Sequence, residues 1–229
     1  MRCPNCDSEQ PDSAAECGRC GLIFARWRGR PDVQFEAVAE RDWRGLLTGD
    51  QTGLVSLRLV LLLGLALISL KYLLGGPAAT AEGFSFLHMV NLPFHEAGHV
   101  IFSPFPRLLT SLGGSLGQLL MPLICGAVLL LKTRDAFGAS VALWWHGQNF
   151  VDIAPYIADA RAGELMLLGG NTGQSSPYGF HDWQFILGET GLLNCDQGLA
   201  WAAHLLGLAV MAVALAWGAW VLWIKWRSL

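Results

Sequence analysis

The sequence predicts an all-α polytopic membrane protein, with about five to six transmembrane helices of ~20 apolar residues each, preceded by a small cysteine-rich head. Two observations carry this. The first is a shortage of charge: 53% of the 229 residues are hydrophobic and 14% are charged, against about 25% charged in an ordinary soluble domain. The second is placement. Arg, Asp and Glu are plentiful in residues 1–50, whereas after Thr52 the chain becomes apolar in long runs. Lipid is therefore the expected solvent for most of the chain. A net charge of −3 is too small for a polyanion-binding surface, and no nucleic-acid partner is expected. The division is residues 1–24 as head, 25–53 as linker and 54–229 as membrane body.

In the head, Cys3-Pro4-Asn5-Cys6 and Cys17-Gly18-Arg19-Cys20 give a C-x2-C-x10-C-x2-C pattern. Two thiolates separated by two residues can grip one metal ion from a tight turn. Two such turns make a closed tetrahedral site of four sulfurs, the arrangement of structural zinc. The segment resembles zinc-ribbon domains over residues 1–24. A ribbon this small has almost no core, so zinc supplies its folding energy, and with all four positions filled it is not catalytic. The competing use of the four cysteines, two disulfides in an exported head, is opposed by the spacing and by the absence of an apolar stretch after Met1 of the kind a cleavable signal needs. Thiolate sites persist in reducing compartments, which places the head in the cytoplasm. Cys125 and Cys195 stand alone. In the linker, Phe35, Val38, Trp43, Leu46 and Leu47 can form the apolar side of a short helix on the membrane surface.

The expected spans are 54–74, with Arg58 and Lys71 near its ends; 84–103; 112–131, opening on Gly113, Gly114 and Gly117; 136–158; and 198–223. The first serves as an uncleaved anchor. A loop of about 40 residues separates the last two spans, long by the standards of connections in compact domains, and ends in an amphipathic stretch, His181–Leu193. Trp217, Trp220, Trp223 and Trp226 recur every three residues and read as an interfacial anchor. Orientation is opposed by one signal. A cytoplasmic head with five spans leaves Lys132, Arg134, Lys225 and Arg227 on the far side, against the positive-inside tendency.

The second span contains His95-Glu96-Ala97-Gly98-His99. Two histidines four apart share one helix face, so both imidazoles can reach one metal ion at about 2.0–2.1 Å. Zinc there lowers the pKa of a bound water toward about 7, and Glu96 is placed to accept its proton without being a ligand. The pattern is that of metalloproteases. Its location in an apolar 20-mer sharpens it, because ionisable residues in lipid are costly and functional by default. The alternative is a pair of bundle-facing histidines satisfied by neighbouring carbonyls. Pro93 is expected in the first helical turn with Asn91 near the cap, Pro104 and Pro106 limit the other end, and Gly98 faces away from the ligands, where it allows close helix packing.

A catalytic zinc needs a third protein ligand and an open position. The expected third ligand is Asp152, late in the fourth span. Asn149, one turn earlier, is the expected donor to the tetrahedral oxyanion, and His146 is a supporting group. His181-Asp182 is an alternative source of the ligand, approaching from the long loop, or else simply starts a helix with Asp182 as first-turn acid. His88 shares the face of His95 and lines water access. His204 is a packed or interfacial histidine.

Over residues 84–158 the chain resembles the site-2 protease family of intramembrane zinc metalloproteases, which pair HExxH on one membrane helix with an Asp motif on a later one. The Gly-rich Ser111-Leu112-Gly113-Gly114-Ser115 stretch is similar to segments between the family's two motifs. The resemblance implies His95, His99 and Asp152 as zinc ligands and Glu96 as general base. It also implies membrane-protein or peptide substrates; with the cysteine head counted, two zinc ions per chain are expected, one catalytic and one structural. The family's Asp is commonly followed by Gly, whereas Ile153 follows here. No PDZ-like domain is recognisable, so substrate selection falls elsewhere, the ribbon and a protein partner of it included. The expected location is a membrane of the bacterial inner-membrane type, head in the cytoplasm, with the bilayer itself as a partner.

Two other functions are open. ZIP-type metal transporters also place HExxH in a membrane helix near an HNxxD helix, and Gln148-Asn149-Phe150-Val151-Asp152 has some similarity to it. Those transporters, however, put that helix before HExxH, and a second acidic residue usually follows, where Val100 stands here. The other is a non-catalytic zinc-binding scaffold, for which Glu96 is superfluous.

Overall fold

A computed structural model describes residues 1–26, 55–77, 86–168, 170–175 and 181–227. The surface helix expected around Phe35–Leu47 lies outside them. The chain forms two compact units, Met1–Arg41 and Asp42–Leu229.

The head is two matched turns. In each, the amide following the second cysteine returns to the carbonyl of the first: Asp7 N–H to Cys3 O at 2.9 Å and Gly21 N–H to Cys17 O at 2.8 Å. Both donors have positive φ, 55° at Asp7 and 69° at Gly21, the left-handed conformation that Gly adopts freely and Asp tolerates. Isolated bridges Arg2–Glu9 and Glu16–Ile23 close the turns, and among the described residues no longer strand forms.

The second unit is helical: α1 Val55–Gly75, α2 Phe86–Phe102, α3 Arg107–Leu131, α4 Ala136–Ala158, the short α5 Asp182–Glu189, and α6 Asp196–Arg227. By length and apolarity, three helices in the described residues can cross a membrane: Val55–Gly75, Arg107–Leu131 and Leu193–Arg227. The coarse expectation of a helical membrane body is met at that level. The other two long helices fall short for different reasons. α2 has 17 residues, about 26 Å at 1.5 Å per residue against a ~30 Å hydrocarbon core. α4 is long enough but carries the polar residues.

α4 is the buried axis, with most of its length enclosed. It packs on α6 through a glycine pair: a Cβ on Gly147 would come within 2.7 Å of Gly207 O, and one on Gly207 within 2.6 Å of Gly147 O. Leu65 and Tyr72 of α1 join Trp144, Val151, Met211 and Ala214 in one core cluster, and Trp144 donates its indole N–H to Ser69 Oγ at 2.9 Å. The opposite side of α1 is a row of exposed leucines, Leu57, Leu63, Leu67 and Leu74 among them, as a lipid-facing helix requires. Trp220, Trp223 and Trp226 project outward near the end of α6.

Two local expectations are corrected. Pro93 lies inside α2, and Asn91 is buried in mid-helix and not at a cap, because the apolar residues from Phe86 onward extend the helix. Gly113, Gly114 and Gly117 lie within α3, which starts at Arg107. These glycines let two backbones touch. A Cβ on Gly98 would meet Gly113 O at 2.1 Å, and one on Gly117 would meet Phe94 O at 2.4 Å.

Candidate functional site

Among the described residues, two groups of side chains could hold a metal ion, Cys3/Cys6/Cys17/Cys20 and His95/His99/Asp182. In the head, Sγ atoms of Cys3 and Cys20 are 3.7 Å apart, as are those of Cys6 and Cys17. Four sulfurs each about 2.3 Å from one tetrahedral ion are spaced about 3.8 Å, whereas a disulfide needs about 2.05 Å. The sulfurs therefore fit a metal and not a pair of bridges. Ser8 O–H can donate to Cys17 at 3.3 Å, which brings that thiol down to about 6. Desolvation pushes Cys3 up to about 11.

The second group spans 87 residues of sequence. His95 and His99 are on α2. Asp182 Oδ2 comes from α5, 3.2 Å from His95 Nε2 and 3.0 Å from His99 Nε2. Each imidazole is turned by a partner behind it. His95 Nδ1–H donates to Gln118 Oε1 and His99 Nδ1–H donates to the Thr110 carbonyl, both at 2.8 Å. A carbonyl oxygen only accepts, so Nδ1 carries a proton in each ring, and in the neutral form each Nε2 presents a lone pair. Two lone pairs and a carboxylate oxygen then face one another, an arrangement that repels itself unless a cation or added protons lie between. Ligands about 2.0–2.2 Å from a tetrahedral zinc would be spaced about 3.3 Å, close to the observed distances. Carbonyl or carboxylate support behind a ligating histidine is the usual second layer of a metal site.

The local fold explains the convergence. The i, i+4 spacing sets the two imidazoles edge to face, with ring centroids 4.8 Å apart. Gly114 of α3 lies directly against them: a Cβ there would sit 2.5 Å from both Nε2 atoms. Asp182 opens α5, whose N-cap His181 accepts from Gln184 N–H. The helix is fixed by Leu187 in a cluster with Ile153, Ile157 and Ala200, and by Arg107 over the Phe185 ring at 4.6 Å. Burial pushes the Asp182 carboxyl up, but when protons on the two Nε2 atoms lie between the groups, hydrogen bonds from His95 and His99 outweigh it and bring it down to about 2.

A cavity of about 340 Å³ opens here, lined by His95, Glu96, Ser115, Gln118 and Asp182 among others. Glu96 is exposed and beside the ligand group without belonging to it. The far part of the cavity is lined by His88, Asp152 and Tyr156.

The expected third ligand is displaced. Asp152 is not in the His95/His99 group. Its oxygens lie 3.2 and 3.1 Å from His88 Nδ1, and Oδ2 accepts from Asn91 Nδ2 at 3.0 Å. The reason is level: Asp152 on α4 stands opposite His88 and Asn91, one to two turns along α2 from His95. Asn149 is also withdrawn, fully buried. Its amide donates to Trp145 O at 3.0 Å and its oxygen accepts from Gln118 at 3.1 Å, and it does not line the cavity, so it presents no donor to an oxyanion there. His146 donates to Leu119 O and is not part of the cavity wall. His181 caps α5 and approaches Asp159. His204 is packed, with Nε2 3.2 Å from Tyr72 O. Gln118 escaped notice in the sequence, although a glutamine in an apolar run is itself a signal of function, and Ser115 entered only as the end of the Gly-rich stretch.

No protein-family model matches the chain, and no curated protein or solved structure matches it. The likeness to site-2 proteases therefore rests on its motif residues alone.

Proposed function

We propose that this chain is an intramembrane zinc metalloprotease of the site-2 protease type, hydrolysing peptide bonds of membrane-protein substrates, with a second, structural zinc in the cysteine head. The observation that carries the reading is the convergence of His95 Nε2, His99 Nε2 and Asp182 Oδ2 on one another, beside a cavity that His95, Asp182 and Glu96 line. The donor set, two neutral imidazoles and one carboxylate, is that of catalytic zinc with a position left open. Zinc held by these three residues would polarise a carbonyl as a Lewis acid and acidify water. The chain supplies the rest. Gln118 and Thr110 hold the imidazoles in the ligating tautomer. Glu96 takes a proton from water as its oxygen bonds to the scissile carbonyl carbon, then gives that proton to the amide nitrogen as the C–N bond breaks. The products are a carboxylic acid and an amine. The cavity volume falls within the range of small-ligand sites and suits a few residues of an unwound segment. The membrane location, the cytoplasmic head and a protein partner for it belong to the same proposal.

The test is Glu96→Gln, which keeps shape and removes the proton acceptor. Loss of a general base typically costs about 10²–10⁴-fold in rate. The variant should insert, retain two zinc ions per chain and fail to cut single-span proteins in liposomes. Equal fragment release by both forms, insensitive to a chelator, would remove the protease assignment. One observation favours a second reading, metal transport: His88 and Asp152 offer another imidazole–carboxylate pair along the same helix face. Transport predicts Glu96-dependent zinc flux in proteoliposomes without cleavage. A scaffold predicts neither.

A further inference from the structure

Four hydroxyls in these helices or at their C-terminal ends bond the backbone. Ser69 donates to Leu65 O, Thr133 to Leu129 O, Ser140 to Phe137 O and Thr190 to Ile186 O, all at 2.7–2.8 Å. This is the usual local outlet for a helical Ser or Thr. Ser115 of α3 does not use it. It is 2% exposed, its Oγ is enclosed, and among the described residues that oxygen has no hydrogen-bond partner. A buried polar atom without a partner is rare enough in native proteins to require a reason.

Its position supplies one. Ser115 lines the same cavity as His95, Glu96 and Asp182. It follows Gly114, whose missing side chain leaves room for both Nε2 atoms. It precedes Gln118 by three residues, on the same helix face, and Gln118 is in contact with His95. With Asn149 and His146 engaged elsewhere, two side-chain donors among the described residues line this cavity without a partner, Ser115 Oγ and Trp183 Nε1; of these, Ser115 directly follows Gly114, against which both Nε2 atoms lie, and acyl transfer needs such a donor to stabilise negative charge on the carbonyl oxygen.

We infer that Ser115 is that donor. Its O–H points to the substrate's carbonyl oxygen as that carbon becomes tetrahedral beside the His95/His99/Asp182 group. The assignment rests on the hydrolase reading above and adds the group that holds the oxyanion.

The experiment uses the full chain, loaded with cobalt(II), in variants Ser115→Ala and Ser115→Thr. The probe is a phosphinic Ala–Ala analogue, in which a tetrahedral phosphinate replaces the peptide carbonyl. Binding is read from the visible cobalt bands and does not require turnover. A hydrogen bond to a charged group is strong, so Ser115→Ala should bind the probe about 10–100-fold more weakly. Its metal content and probe-free cobalt spectrum should match wild type, and Ser115→Thr should restore binding. If cleavage is observed, Ser115→Ala should lower kcat by about 10²–10³-fold with little change in KM. Probe binding by Ser115→Ala within twofold of wild type overturns the assignment. So does a metal-loaded Ser115→Thr that binds as weakly as the alanine variant, or a wild type that does not bind the probe. Alanine-sensitive binding in a protein that cuts nothing upholds Ser115 and sinks the hydrolase. Cleavage indifferent to Ser115→Ala does the reverse.

Discussion

The cysteine head and the histidine–aspartate centre place metal-ligating atoms together by opposite means. In the head, four sulfurs come from 18 successive positions, Cys3 to Cys20, and two near-identical turns aim them. Nothing outside the segment is needed. In the membrane body, two ligand atoms come from adjacent turns of one helix, while the third arrives from another helix 87 residues later. Each histidine there also needs a partner on α3 to fix its tautomer. The head offers four sulfurs that could close around a metal. The other group offers three ligand atoms, a carboxylate beside them and a cavity next to them. Local geometry is enough for structure, whereas chemistry on a substrate needs groups from several directions around one unfilled position.

That contrast can be broken by mutation. The largest effect is expected in the head. For a fold that depends on its metal, binding energy is folding energy, about 10–16 kcal/mol for small zinc domains. The Cys3→Ser/Cys6→Ser double variant should lose the ordered head entirely and drop from about two metal ions per chain to about one, while the membrane centre stays loaded. Metal analysis and limited proteolysis report both. An unchanged metal content would mean that the cysteines hold none.

In the membrane body a single ligand should matter less for folding and more for affinity. Asp182→Ala is expected to weaken metal binding at this centre by more than the 10–100-fold typical of an outer partner, with the helices intact. Asp152→Ala is the discriminating companion. It removes the acceptor used by His88 and Asn91, so it should lower stability by about 1–3 kcal/mol and leave the metal in place. Competition with a chelator, alongside thermal unfolding, separates the two. Loss of metal from Asp152→Ala with retention in Asp182→Ala would return the ligand role to α4.

The smallest effect belongs to the support layer. Gln118→Leu takes away the acceptor behind His95 and also the donor to Asn149. A loss of about 10–100-fold in metal affinity is expected, with both histidines still ligating. Histidine NMR, following the Nδ1–H resonances, should show the His95 signal lost and the His99 signal, held by Thr110, retained. If both disappear, the two imidazoles are oriented as a unit.

Much of this was legible in the residues. The head was readable because its spacing and geometry are the same thing: a C-x2-C pair sets its turn from its own few residues, with no contact needed from the rest of the chain. The helices from Val55, Arg107 and Asp196 follow from apolar runs of spanning length. HEAGH announced its histidine pair because a 3.6-residue period puts i and i+4 on one face. Asp152 was the natural choice of third ligand, since a carboxylate in an apolar helix is expensive. The cost is real, but the structure meets it with His88 and Asn91.

The sequence by itself therefore determined the lipid-facing helices, the sulfur site and the two imidazoles, all products of short-range periodicity or of composition. Tertiary structure decided which carboxylate faces the imidazoles, that Asn149 turns inward, and that Ser115 is left without a partner. Those outcomes depend on the relative level of α2, α3, α4 and α5. That level is set by close glycine contacts such as Gly98–Gly113 and Gly147–Gly207, and by where Leu187 anchors α5. A shift of one helical turn, about 5.4 Å, would exchange the partners of Asp152, and no local pattern in the chain records that shift.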